Sequence, residues 1–364
     1  MLKPKKINKN KTHIKRALVS VFDKTGLPQL GKSLEKLGVE ILSTGGSARA
    51  LRDEGTSVTD VSEYTKFPEI MDGRVKTINP LVAGGILGLR DRHSKDAKNN
   101  NIEWIDLVVC NLYPFSDTIT REDCDLALAL ENIDIGGPTM IRSAAKNVGW
   151  VAVIVDPNDY NNIIKELRDN SGISYDTRAN LSSKAFGHTA HYDTIIHNYL
   201  KETPVSNDFS LTYKKHSEMR YGENPHQSAA AFQVPGDNSN SILNAKIHQG
   251  KKLSYNNIMD ADAALACLKE FSTPACVVVK HANPCGVAIG QNMLDVYTRA
   301  FSADSLSVFG GIIAMNEECD QSVAQEISKI FVEIVLAPSF TDDALAIFSK
   351  KKSLRVLSFG KILP

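Results

Sequence analysis

Several stretches of the sequence concentrate the residue types that hold an oxyanion or move a proton. Ser43-Thr-Gly-Gly-Ser47 lies between an apolar run and a helical pattern. Its glycines permit a tight turn that presents backbone N–H groups, and its hydroxyls and the helix N-terminus that follows add donors. On these residues alone it is either a plain turn or a phosphate cradle. Ser20-Val-Phe-Asp-Lys-Thr-Gly26 brings further hydroxyls and Lys24 to a comparable strand end. Asp72-Gly-Arg-Val-Lys-Thr-Ile-Asn-Pro80 packs Arg74, Lys76 and Thr77 between a glycine and a proline, which reads as a solvated basic turn unless a ligand claims it. Tyr113 follows an apolar run directly, and Asp134 precedes the pair Gly136-Gly137, where main chain and ligand can approach closely. Lys146 lies about three helical turns further on. A rim tyrosine, a helix cap and a surface lysine are the plain structural readings of these three. In the second half, Lys280 and His281 end an apolar run and offer a cation beside a base.

These residues need elements to position them. Arg16-Ala-Leu-Val-Ser-Val21, Val39-Glu-Ile-Leu42, Ile105-Asp-Leu-Val-Val-Cys110 and Trp150-Val-Ala-Val-Ile-Val155 read as buried strands, separated by helical patterns such as Leu27, Leu30, Leu34 and Leu37 with Gly38 as the stop. Alternating strand and helix predicts a parallel sheet covered on both faces, with ligands at the carboxyl ends of the strands. Tyr175 to Leu200 reads as one long helix. The polar stretch 201–209, which contains Pro204, reads as a linker, and beyond it Asp260 to Phe271 reads as a helix and Ala275 to Lys280 as a strand. Residues 1–15 are expected to be a disordered basic tail, since Met1 to Arg16 holds seven Lys/Arg and no acid.

The chain has 364 residues, more than one core usually holds, and 42 Lys+Arg balance 42 Asp+Glu. A neutral chain has no global field to draw it onto nucleic acid or an anionic membrane, so neither is expected as a partner. No apolar run approaches the roughly 18 residues of a membrane span. Six cysteines occur without a CxxC pair, so they are expected to be reduced thiols in a cytoplasmic protein, not zinc ligands.

In combination the motifs say more. SVFDKTG, STGGS, MDGRVKT, NLYPF, ENIDIGGPTM and RSAAKN, followed by MRYGENPH, LSYNN, VKHANPCG and FGG, occur in this order from about Ala17 to the C-terminus. The run resembles the bifunctional purine-biosynthesis family that joins IMP cyclohydrolase to AICAR transformylase. The resemblance implies an α/β chain: an N-terminal methylglyoxal-synthase-like parallel-sheet domain (16–200), then a cytidine-deaminase-like transformylase domain (210–364). That second domain is expected to be incomplete, because the family normally adds a Lys-Ser-Asn motif and a Phe-Phe-Pro-Phe stretch further on. Formyl transfer is therefore expected to be impaired and cyclisation intact, in a hydrolase and transferase that is a likeness-implied homodimer.

By this resemblance Lys76, Tyr113, Asp134 and Lys146 carry the ring closure of formyl-AICAR to IMP, with Lys146 as the principal proton-transfer group. The substrate's phosphate would sit on Asp23, Lys24, Thr44, Gly45, Gly46 and Ser47, with Ser20, Arg74 and Thr77 nearby, and Cys110, Asn111 and Ile135 would line the base pocket. For formyl transfer from the cosubstrate 10-formyltetrahydrofolate, His281 is implied as base and Lys280 as electrostatic partner, with Arg220, Tyr221, Gly310 and Glu333 at the nucleotide. No metal is implied. Asn79 departs from the family's His before Pro80, which puts the local loop geometry in question. A zinc deaminase is a poor reading of His281-Ala-Asn-Pro-Cys285, since the acid/base position holds Asn283 and the second thiolate is missing. The other readings are an inactive nucleotide-binding scaffold of the same family, or a methylglyoxal-synthase-like lyase, to which a Lys/Tyr/Lys set is ill suited.

Overall fold

The structure, a computed structural model, describes residues 6–203 and 207–361. The chain divides into two compact units, Met1–Thr212 and Tyr213–Pro364. Residues 1–5 of the expected tail and 204–206 of the expected linker lie outside the described residues.

The first unit runs β1 (Arg16–Ser20), α1 (Leu27–Lys36), β2 (Glu40–Ser43), α2 (Gly45–Asp53), β3 (Thr59–Asp60), α3 (Val61–Thr65), α4 (Pro80–Leu87), α5 (Ser94–Asn99) and β4 (Leu107–Cys110). It continues with α6 (Phe115–Ile119), α7 (Leu126–Glu131), α8 (Gly136–Lys146), β5 (Ala152–Ile154), α9 (Tyr160–Asn170) and α10 (Tyr175–Leu200). Its five strands form the parallel sheet that the alternation predicts, in the order β3-β2-β1-β4-β5. Both faces are covered, so each strand is apolar on both sides. Leu18, Leu42 and Val108 pack under α4, α8 and α10. Val19, Ile41 and Val109 pack under α1 and α9. The chain winds outward in opposite directions from β1 and β4, and their carboxyl ends therefore flank a crevice where connecting loops diverge.

Residues 8–15, expected to be part of a solvated tail, are instead docked on this unit. The reason is a cluster of acceptors that local sequence does not reveal. Arg178 of α10 is completely buried, and its guanidinium donates to the carbonyls of Val148, Ile173, Asn10 and Gly149 at 2.8, 2.5, 2.9 and 3.2 Å. Asn8 donates to Gly149 O, and Thr12 exchanges backbone bonds with Ile173. Arg178→Met should lower unfolding stability by about 3 kcal/mol, because it leaves buried carbonyls unpaired, and a shift of the urea midpoint at unchanged slope would measure it.

The second unit runs β6 (Lys214–Glu218), β7 (Ala230–Gln233), β8 (Lys246–Gln249), α11 (Tyr255–Leu268), β9 (Ala275–Lys280), β10 (Asn283–Ile289) and α12 (Met293–Ala303). It ends with β11 (Ile312–Met315), α13 (Gln321–Ile327), β12 (Ile334–Ala337), α14 (Asp342–Phe348) and β13 (Arg355–Ser358). A six-stranded mixed sheet, β10-β9-β11-β12-β13-β8, holds parallel β11, β12 and β13 between antiparallel neighbours. Val277, Ile312 and Leu336 pack on α11, and Val278, Ile313 and Val335 on α12 to α14.

Candidate functional site

The crevice between β1 and β4 opens into a cavity of about 530 Å³. Each wall arrives from a strand end or a helix start. Ser20 closes β1, Thr44 to Ser47 lead from β2 into α2, Asn111 and Tyr113 follow β4, and Asp134 to Gly137 open α8. The loop carrying Arg74, Lys76 and Thr77 closes the remaining side.

The first-strand loop is held by two buried polar side chains. Ser47 Oγ accepts from Val21 N (2.9 Å) and donates to Val21 O (3.0 Å). Asn111 Oδ1 accepts from Phe22 N and Asp23 N, and its amide donates to Asp23 O. Gly45, at φ +55°, makes the turn from β2 into α2 in a conformation that side chains disfavour. Thr44 takes the N-cap position without using its hydroxyl on the helix, which leaves that donor for a ligand. Two ammonium groups bracket the turn. A methyl on Gly46 would lie 3.6 Å from Lys24 Nζ, and one on Gly45 would lie 3.8 Å from Lys76 Nζ. A helix N-terminus flanked by two lysines is an anion site.

Asp134 stands on the other side of Lys76. Its Oδ1 accepts from Gly137 N at 2.8 Å, and its backbone N–H donates to the Tyr192 hydroxyl at 2.9 Å. Burial raises the Asp134 pKa above the ordinary carboxylate value; the Gly137 N–H, the Lys76 charge and the Tyr113 N–H oppose that rise without cancelling it. Tyr192, whose own pKa burial pushes up to about 12, reaches in from α10 and also donates to Asn132 O. Tyr113 is half exposed at the rim, its ring edge-on to Phe22 with centroids 5.8 Å apart. Lys76 is 3.7 Å from Glu69, and Arg74 pairs with Glu131. Gly136 has no room for a side chain, since a Cβ would come 2.8 Å from Thr77 Oγ1.

The cavity thus gathers Ser20, Lys24, Thr44, Gly45, Gly46, Ser47, Arg74, Lys76, Thr77, Asn111, Tyr113, Asp134 and Ile135. Three expected residues are not on its wall. Cys110 points into the core beneath the sheet, where burial pushes its thiol pKa up, so it supports the wall without facing it. Asp23 turns back to accept from Thr25 N, and those bonds to Thr25 lower its pKa. Lys146 is the last residue of α8 and is exposed; ten residues of helix rise, about 15 Å, separate it from Gly136 at the cavity. The α8 residue of the cavity wall nearest to it is Met140, about 9 Å of helix rise before Lys146. Phe22, Gly73, Glu131 and Tyr192 are not among the residues expected at the site; the first three stand inside the SVFDKTG, MDGRVKT and ENIDIGGPTM motifs, and only Tyr192, on α10, carries no signal in the sequence. Asn79 caps α4, its Oδ1 accepting from Leu81 N at 2.9 Å, with Pro80 in the first turn. Asn is among the best N-caps, so the loop keeps its geometry.

In the second unit, Lys280 ends β9 and donates to Phe309 O at 2.7 Å, beside Gly310. His281 and Ala282, at φ +51° and +59°, form the two-residue loop into β10, and Ala282 N donates to Asp260 of α11. Such a loop needs left-handed backbone at both positions, which two non-glycine residues adopt under strain. Ala282→Gly should therefore raise stability by about 1 kcal/mol, read as a higher urea midpoint. Arg220 stacks on Tyr221, and the first turn of α11 holds that segment through Tyr255 N to Tyr221 O. Glu333 is engaged by the buried Arg355 at 2.6 Å. One oxygen of its carboxylate is thus tied to the sheet. Among the described residues no three His, Cys, Asp or Glu side chains gather as metal ligands, and no helix is long and apolar enough to cross a membrane.

A parallel α/β unit with an anion site at its switch point, followed by a mixed-sheet unit, defines the class. Residues 26–139 match the model of the MGS-like domain, and residues 144–364 that of the AICARFT/IMPCHase bienzyme. The bifunctional purine biosynthesis protein PurH of Acetivibrio thermocellus is 52% identical over 355 residues, 96% of this chain and 69% of its own length. The protein of the same name from Ruminiclostridium cellulolyticum is 50% identical with the same coverage, and that of Bacillus cereus strain B4264 is 51% identical over 95% of this chain and 69% of its own. The chain belongs to the AICARFT/IMPCHase bienzyme family.

Proposed function

We propose that the first unit closes the purine ring, converting formyl-AICAR to IMP, and that the second contributes Lys280 and His281 to formyl transfer from 10-formyltetrahydrofolate to AICAR. The observation that carries the first part is Lys76 standing between an anion site and a half-buried carboxylate. A ribose phosphate bound at the N-terminus of α2, between Lys24 and Lys76, directs its heterocycle toward Tyr113 and Asp134.

Ring closure joins two groups of one molecule, so the protein's part is positioning and proton traffic. The carboxamide nitrogen attacks the formyl carbon, a C–N bond forms, and the formyl oxygen takes up negative charge. Lys76 and the Tyr113 hydroxyl stabilise that oxygen. Asp134 accepts the proton released from the nitrogen, a task suited to a carboxylate whose proton affinity burial has raised. The former formyl oxygen takes up that proton and the one lost from the formylamino nitrogen, its C–O bond breaks to release water as the C=N bond forms, and the ring becomes aromatic. No cofactor or metal enters this balance. In the second unit His281 would take the amine proton as formyl is transferred, with Lys280 beside the oxyanion.

IMP binding tests the site. IMP binding whose affinity is lowered at least tenfold by Lys24→Ala is expected in calorimetry, and no heat with a triose phosphate. Binding of the triose phosphate in place of IMP would support the lyase reading and overturn this one.

A further inference from the structure

A second cavity, of about 510 Å³, opens in the first unit at the amino ends of β1 and β2, opposite the strand ends that carry the Lys76 cavity. Its size is that of a small-molecule pocket. Both tryptophans of the chain, Trp104 and Trp150, line it. They are fixed in place: the Arg90 guanidinium lies 5.2 Å from the Trp104 ring and 5.9 Å from the Trp150 ring, and is itself held by Gly88 O, Ile105 O and Asp106. The carboxylates of the cavity are already engaged. Arg16 pairs with Glu40 and Glu103, and Asp106 takes Arg90 and the backbone N–H groups of Lys15 and Arg16. The exposed cations of the docked segment, Lys11, His13 and Lys15, have no ion-pair partner among the described residues, although the Lys11 ammonium donates to the carbonyl of Asn170.

Preformed indoles beside a rim of exposed cations, with the cavity's carboxylates held by Arg16 and Arg90, match a flat heterocycle that bears an anionic group. We propose that this cavity binds a purine nucleotide, its base against the indoles and its phosphate on the Lys11–Lys15 strip. The site is separate from the Lys76 cavity and does not depend on the reaction assigned to it.

Tryptophan fluorescence reads this cavity alone, because no tryptophan lines the other. Titration of the full chain with AMP should quench it saturably at sub-millimolar concentration. Adenosine and inorganic phosphate, each carrying one half of the recognition, should bind at least tenfold more weakly. The double variant Lys11→Glu/Lys15→Glu, two exposed positions, should weaken AMP at least tenfold while leaving IMP binding at Lys76 unchanged. Absence of saturable quenching at millimolar AMP would overturn the proposal, as would equal quenching by adenosine, or by AMP in the charge-reversed variant. The adenosine comparison stands even if that variant fails to fold.

Discussion

Lys76→Ala should slow conversion of formyl-AICAR to IMP by about 10²–10³-fold, the loss typical of removing one charge-stabilising donor from a preorganised site. Lys146→Ala, by contrast, should stay within about twofold of the parent, as a surface substitution does. The contrast follows from position. Lys76 Nζ lies against the turn into α2 and close enough to Asp134 to affect its ionisation. Lys146 shares a helix with the cavity's Gly136 and Gly137 but sits at its far end, in solvent. Steady-state rates for both variants at saturating substrate decide the matter. Equal losses would mean that the proton passes through a group outside this cavity, and the roles assigned here would fail.

Asp134→Asn should lower kcat by about 10²–10³-fold and yet raise the melting temperature at neutral pH. Asn keeps the acceptor that Gly137 N–H uses, so the start of α8 is preserved while the base is lost. The stability effect follows from the sign of the shift. A carboxylate whose folded pKa is raised above its unfolded value favours the folded state at low pH, and that contribution disappears as pH rises through the folded pKa. Above its raised folded pKa the ionised Asp134 is therefore a net burden that Asn removes, and the gain should vanish below the ordinary value of 3.8. In the parent, the acid limb of kcat/KM should fall above that value, and it should be absent from the residual activity of the variant. A variant that is both inactive and less stable at pH 7 would assign Asp134 a structural role.

Much of this was readable before any coordinates. The parallel sheet follows from short apolar runs separated by helical patterns, and α10 begins and ends at Tyr175 and Leu200 as the sequence reading placed it, with Ser174 capping Thr177 N. The loops at the strand ends announced the cavity because glycine, hydroxyl and lysine coincide there. What was illegible depended on direction and distance. Cys110 and Asn111 are adjacent, but strand alternation sends one into the core and the other to the cavity. Lys146 belongs to the same motif-rich stretch as Asp134, and only the length of α8 separates them. The basic N-terminal segment looked solvated because its partners, the carbonyl of Gly149 and the buried Arg178, are more than 130 residues away in sequence. Tyr192 escaped notice for the same reason.

The most direct measurement is turnover of formyl-AICAR by the purified chain without any folate, followed by the ultraviolet absorbance of IMP. Catalysed formation of IMP, inhibited by added product, is the result predicted here. A folded chain that binds IMP and yet gives no more product than the buffer alone would contradict it, and would leave the cavity as a nucleotide-binding site without catalysis.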